Sequence, residues 1–405
     1  MSWLRGGSSP EDKFANEVIA LLRGILGLKA TRLDGFALRI ERPDGPVTMN
    51  LQNIYAEARQ LDADARAERL RRAVLAMAPQ PRPTTWDDAA PLLLPAVRTS
   101  SWANAATAAK GEGGLAAVPF GSPLVPFVKV LCAIDFEHSM SFATAADLSA
   151  WGVTDEEALR TASANLARMP CQVQRTGPAA LITGPDGYAS SWLAVPAVLA
   201  RVAADIGPSV IAVAATRDQL LLVDAEHPEA VVRLLESALE DYQTGARQLS
   251  PVPYLVSEAG IEPWAPPTDF PAWPLVDKAT RYLAAAEYAQ QQAKLDDLLQ
   301  KAGEDVHVAK HTLMQRPDGT LWSWSAWVRQ VTNGLLPQSD VILFGDTDLT
   351  DDRFAVRWND ALRLAGGALR EEPEYDPPLW RHHGWPDNST VTSLRARAVP
   401  LPPPT

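Results

Sequence analysis

The stretch PSVIAVAATRDQLLLVDAEHPEAVVRLLESALEDY, residues 208–242, decides the fold. Val210 to Ala214 and Leu220 to Asp224 are short apolar runs, too brief for helices, and each reads as a buried strand. Thr216, Arg217, Asp218 and Gln219 between them have turn composition, so the pair is a hairpin. Pro228 fits the first turn of a helix, where its missing N–H costs nothing. In that helix Val231, Leu234, Leu235, Ala238, Leu239 and Tyr242 form one apolar stripe, with Arg233, Glu236 and Glu240 facing away.

Upstream, the same alternation of hairpins and helices continues. Ala179 to Thr183 and Tyr188 to Leu193 flank Gly184, Pro185, Asp186 and Gly187, which reads as a second hairpin. A helix opens at Pro196 and stops at Gly207 and Pro208. Thr154, three residues before Glu157, makes a capping box for a helix over about 155–168 that Pro170 ends. Val128 to Ile134 reads as a buried strand, and Pro253 to Val256 as a closing one. Hairpins punctuated by helices, without strict strand–helix alternation, predict an α+β fold of mixed or antiparallel sheets with helices packed on them.

Several segments of this region resemble the YtpQ-like family of bacterial proteins of unknown function. They are Pro126-Phe127-Val128, Met140-Ser141-Phe142, Trp151-Gly152-Val153-Thr154 with its helix, the run from Gly184 to Ser191, and Thr216-Arg217-Asp218 through Val223. The likeness extends back to the helix at Phe14 and the strands up to Leu51, so it covers about the first two thirds of the chain. It implies a soluble cytoplasmic α+β protein and carries over no catalytic residue.

The 405 residues exceed one typical core and predict more than one domain. Hydrophobic residues make up 46% and charged residues 21%, the balance of a folded soluble protein. A formal net charge of −12 argues against a general nucleic-acid binder, which needs clustered Lys and Arg. Cys132 and Cys171 are too few for a disulfide framework or a thiolate zinc site and fit a reducing cytoplasm. Residues 1–13 lack a signal-peptide core, and no run approaches the roughly 18 apolar residues that span a bilayer. A cytoplasmic location with no membrane partner is the expectation.

The domain pattern follows from breaks in periodicity. An N-terminal α+β subdomain is expected over 11–78, a Pro- and Ala-rich connector over 79–125, and the central α+β domain over 126–264. The cluster Pro263, Pro266, Pro267, Pro271 and Pro274 marks a linker at 265–276, since such a run cannot continue a helix or a central strand. A second, smaller, Trp-rich α+β domain then covers 277–375, and a Pro-rich tail 376–405. Within the smaller domain, 277–302 reads as a helix, 306–314 and 320–328 as a hairpin, 341–344 as a strand and 354–364 as a helix. In the N-terminal subdomain, Arg66, Arg69, Arg71 and Arg72 on a helix over 62–77 alternate with Asp62, Asp64 and Glu68, the pattern of a solvated face more than of an anion patch.

The familiar catalytic and nucleotide motifs are absent from the sequence, and no catalytic residue or cofactor is expected. The acidic run Asp346, Asp348, Asp351 and Asp352 fails as a calcium loop, with Asp351 at the sharp-turn position and Arg357 at the twelfth. Binding candidates are the aromatic residues Trp322 and Trp324 on one strand face and Trp327 on the other, which suit a partner anchor. The turn residues Asp186, Tyr188 and Ser190 with Arg217 and Asp218 would converge if the two hairpins are neighbours, although such residues also serve turns by themselves. His307 and His311 share a side of a strand and are the alternative metal pair, with Asp340 or His382 as third ligand. The expectation is a non-enzymatic protein-interaction module, an adaptor, inhibitor or immunity-like protein that binds a macromolecular partner. The alternatives are a metal-dependent hydrolase using the C-terminal domain and a structural subunit of a larger assembly.

Overall fold

The computed structural model of the chain describes residues 9–43, 45–103, 119–184, 187–316, 318–347 and 352–401. The fold is α+β, with antiparallel and mixed sheets and helices packed on them. The chain divides into two compact units, one made of residues 1–93, 133–142 and 150–152, the other of 94–132, 143–149 and 153–405. Among the described residues no helix is long and apolar enough to cross a membrane.

In the first unit the helix Pro10–Leu26 starts at a capping box, Ser9 and Asp12 each accepting the other's backbone N–H at 3.0 Å. Its apolar stripe, Phe14, Val18 and Leu22, shares a core with Leu38 and Ile40 and with Leu70 and Val74 of the helix Ala63–Leu75. The sheet is a three-stranded antiparallel meander of Lys29–Leu33, Ala37–Glu41 and Val47–Asn50. On the arginine-rich helix Arg66 is held by Glu17 at 2.5 Å, Arg69 by Glu57 at 2.6 Å and Arg72 by Glu68 at 3.1 Å.

The second unit is built on a six-stranded antiparallel sheet in the order Gly260–Pro263, Gln248–Ser257, Val210–Thr216, Leu220–Asp224, Ala179–Thr183, Gln172–Thr176. The helix Pro228–Thr244 lays Val231, Leu234, Leu235, Ala238 and Tyr242 on Ile211, Val213 and Val223 of this sheet. The proline cluster does not separate one core from another here: Trp264, Phe270, Ala272 and Val276 all pack into that same cluster. Val276 already belongs to the helix Trp273–Ala302, whose Tyr288, Leu295 and Leu299 go on to pack with Val308, Leu335 and Leu379. Burial at both ends explains why this helix lacks a single apolar stripe.

Beyond it lie a five-stranded mixed sheet, Thr312–Gln315, Leu321–Val328, Val341–Gly345, Phe354–Arg357 and Ala398–Val399, and a four-stranded one, His307–Val308, Gly334–Pro337, Leu379–His382 and Leu369–Glu372. Of the expected hairpin of 306–314 with 320–328, Thr312–Gln315 pairs with Leu321–Val328, Thr312 opposite Trp324 and Gln315 opposite Leu321, whereas His307–Val308 is a separate strand that pairs with Gly334–Pro337 in the four-stranded sheet.

Four further stretches differ from the sequence reading. Tyr188 to Leu193 forms no strand; Ala189–Ala194 is a 3-10 helix, and the hairpin partner of Ala179–Thr183 is instead the polar edge strand Gln172–Thr176, with Leu220–Asp224 on its other side. Ala189 to Leu193 are all buried, so this segment lacks the alternation a hairpin arm needs. The connector contains a fully buried strand, Leu93–Thr99, which tolerates Pro95 because it ends the order of its sheet. Phe354–Arg357 is a strand and the helix begins at Trp358. The tail is structured as well, with Leu379–His382 paired on both sides and the helix Asn388–Arg395 capped by Asp387.

Candidate functional site

The end of the strand Val210–Thr216 gathers three separate backbones. Arg217 donates its N–H to the Arg247 carbonyl at 3.1 Å, and Ser190 donates its own to the Arg217 carbonyl at 3.2 Å. The neighbouring Ser191 hydroxyl accepts the Val97 N–H at 3.3 Å, which brings in the strand Leu93–Thr99. Gly245 makes the return from the helix Pro228–Thr244 possible, because a Cβ there would run into the Asp241 carbonyl and lie 3.0 Å from Thr216 Cγ2. The chain then passes Arg247 at φ +57°, a left-handed conformation that costs a side-chain-bearing residue about 1 kcal/mol or more.

Onto this frame converge three guanidinium groups. Arg98, 3% exposed, donates Nη1 to the carbonyl of its neighbour Val97 at 2.8 Å. Arg98 and Arg217 stand over the same indole, Trp102, at 5.6 and 5.4 Å from the ring centroid. Arg247 lies further out, 3.3 Å from the Asp218 carboxylate. Burial first, then the field of Arg217, pulls the Arg98 guanidinium down to about 9, with Tyr188 and Asp218 opposing. Burial and Arg247 pull Arg217 down to about 10, with Asp218 again opposing. Both remain cations at neutral pH, and like charges are held close, Arg217 and Arg247 opposing the charge of Arg98 and Arg247 that of Arg217. Two buried polar atoms at this place, Arg217 Nε and Ser190 Oγ, have no hydrogen-bond partner among the described residues. Such atoms ordinarily cost about 1–3 kcal/mol unless something else satisfies them. The cluster can therefore take an oxyanion: guanidinium groups supply charge-assisted donors in fixed geometry, and the buried hydroxyl supplies another.

Of the residues singled out in the sequence, Tyr188, Ser190, Arg217 and Asp218 come together here, and Asp186 lies outside the described residues. Arg98, Trp102 and Arg247 were not foreseen. One signal was legible: Arg98 interrupts the apolar run Leu93-Leu94-Pro95-Ala96-Val97, and a charge inside a buried strand asks for a reason.

The tryptophan anchor is corrected by burial. Trp327 is fully buried against Phe344, Trp322 is buried with Val341 and Leu343, and Trp324 is half-buried with Nε1 3.3 Å from the Met314 sulfur. The two-face placement holds, and Trp322 on one face and Trp327 on the other are covered by the domain's own residues. The histidine pair is corrected too. His307 is exposed on the two-residue strand His307–Val308, whereas His311 lies beyond it, buried and stacked on Tyr288 at 5.2 Å between centroids. Asp340 is engaged by Ser323 and Arg281, and His382 packs on Trp327 at 4.7 Å. Among the described residues no three His, Cys, Asp or Glu side chains are grouped to hold a metal ion. Of the acidic run, Asp346 pairs with Arg329 at 3.0 Å and Asp352 with Arg395 at 2.7 Å, while Asp348 and Asp351 lie outside the described residues.

No family model, curated protein or solved structure compared with this chain matches it.

Proposed function

We propose that this protein is a non-enzymatic binding module that docks a protein partner by receiving an acidic group of that partner, a carboxylate or a phosphate, on Arg98, Arg217 and Arg247. The observation that carries this reading is the meeting of Arg98 and Arg217 over Trp102, with Arg247 close enough to act on both charges, beside the unspent donors Arg217 Nε and Ser190 Oγ. In a chain of net charge −12, a local gathering of positive groups at this cost has its simplest use in holding an anion. The adaptor, inhibitor or immunity-like role thereby narrows to a partner that presents such a group. Membership of the YtpQ-like family belongs to the proposal, since Tyr188, Ser190, Ser191 and Arg217, which carry the resemblance, lie at the site. So does a cytoplasmic location, which suits two unpaired cysteines, one of them, Cys132, with a thiol pushed up to about 12 by burial. Fluorescence anisotropy of labelled oligo-glutamate and phosphoserine peptides tests the reading. Saturable binding that weakens with salt and is lost in R217M supports it, and no binding of either peptide overturns it.

A further inference from the structure

The segment carrying Arg98 and Trp102 is gripped from outside the sheet. Glu287, 1% exposed on the helix Trp273–Ala302, accepts the Ser101 N–H at 2.7 Å and the Ser101 hydroxyl at 2.8 Å. Two turns further along the same helix, Lys294 donates Nζ to the Ser101 carbonyl at 2.6 Å. Gln290, between them, accepts from the same hydroxyl at 3.2 Å. The preceding residue is tied to this helix as well: Ser100 donates its N–H to the Phe127 carbonyl at 2.9 Å, and the Phe127 ring sits edge-on to Tyr288 at 5.7 Å. One residue, Ser101, thus has its N–H, its hydroxyl and its C=O held by opposite charges of one helix.

A buried carboxylate and a half-buried ammonium cost several kcal/mol of desolvation, and apolar residues would pack the helix at less expense. What the charged pair adds is direction, because Glu287 fixes the N–H and hydroxyl of Ser101 and Lys294 its carbonyl, at a residue that lies between Arg98 and Trp102. We infer that Glu287 and Lys294 are positioning residues for the anion site, setting the Trp102 ring and the Arg98 guanidinium in register with Arg217 from a helix that supplies none of the three arginines. This rests on the proposed function of the arginine cluster. It also gives the segment C-terminal to the proline cluster a role in that site.

The test combines hydrogen–deuterium exchange of the peptide covering 99–103 with calorimetric titration of sodium pyrophosphate, both on the full chain. In E287Q and in K294M the exchange is expected to quicken at least tenfold and pyrophosphate affinity to fall at least fivefold. R217M, in contrast, loses affinity while exchange stays at the wild-type rate. Unchanged exchange in both clamp variants, or faster exchange with unchanged affinity, overturns the inference while leaving the anion site standing. A wild-type protein that binds no pyrophosphate overturns the anion site and the inference with it. E287Q keeps size and one acceptor oxygen, and K294M keeps the aliphatic stem, so loss of folding in one still leaves the other to decide.

Discussion

Arg98 and Arg217 share one aromatic ring, each guanidinium carbon within 5.6 Å of the Trp102 centroid. The ring's negative face offsets some of the repulsion between two cations that burial has already made costly. Trp102→Leu removes that cushion and is expected to destabilise the fold by roughly 1–3 kcal/mol, from two lost cation–π contacts and lost burial. Denaturant unfolding of W102L measures this, and a variant as stable as wild type would show that the ring holds neither arginine.

Arg247 separates stability from binding. Its φ of +57° favours glycine, so Arg247→Gly relieves backbone strain while removing one guanidinium. Thermal unfolding of R247G is expected to match or slightly exceed wild type, while affinity for acidic peptides falls about tenfold. A clear loss of stability would mean that the side chain, through Asp218 at 3.3 Å, serves the fold first.

The buried histidines set an acid limit. Burial pulls His311 from 6.5 to about 4, with Asp340 opposing and Arg281 adding to the fall. Burial likewise pulls His382 to about 4, with its hydrogen bond to Gly384 opposing and His307 and His383 adding. The native state binds fewer protons than the unfolded chain between these values, so stability present above pH 6.5 is lost as pH falls towards 4. Each contributes up to roughly 3 kcal/mol. Urea unfolding at pH 7 and pH 4.5 is expected to show a smaller loss in the double variant H311F/H382F than in wild type; equal losses would place the acid sensitivity elsewhere.

Trp322 and Trp327 of the strand Leu321–Val328 are core. Trp327→Ala should cost roughly 3–5 kcal/mol by opening a cavity against Phe344 and His382. Trp324, half-buried, should cost less, and W324A should bind acidic peptides as wild type does. Weaker binding by W324A would restore the aromatic anchor.

The α+β class and the main helices were legible because apolar period and caps agree, as at Thr154, whose hydroxyl accepts the Glu157 N–H at 3.2 Å. The hairpin Val210–Thr216 with Leu220–Asp224 was legible for the same reason, its turn chemistry matching its flanks. Hidden elements were those whose residues contradict local propensity. Gln172–Thr176 is a polar edge strand, and Leu93–Thr99 carries a proline and an arginine. The site was half legible: Tyr188, Ser190, Arg217 and Asp218 stand in turns, yet their convergence depends on Ser190 meeting the Arg217 carbonyl across 27 residues, which no local pattern encodes. Arg98, Trp102 and Arg247 arrive from two further segments, so only the tertiary fold unites them.

Calorimetric titration of sodium pyrophosphate against wild type, R217M and R160M tests the arginine cluster most directly. Arg160 pairs with Glu156 at 2.7 Å on another helix and serves as the control cation. One equivalent should bind to wild type and to R160M, with affinity falling as salt rises, and R217M should lose at least tenfold. A flat wild-type isotherm, or equal binding by R217M and wild type, would contradict an anion site at Arg98, Arg217 and Arg247.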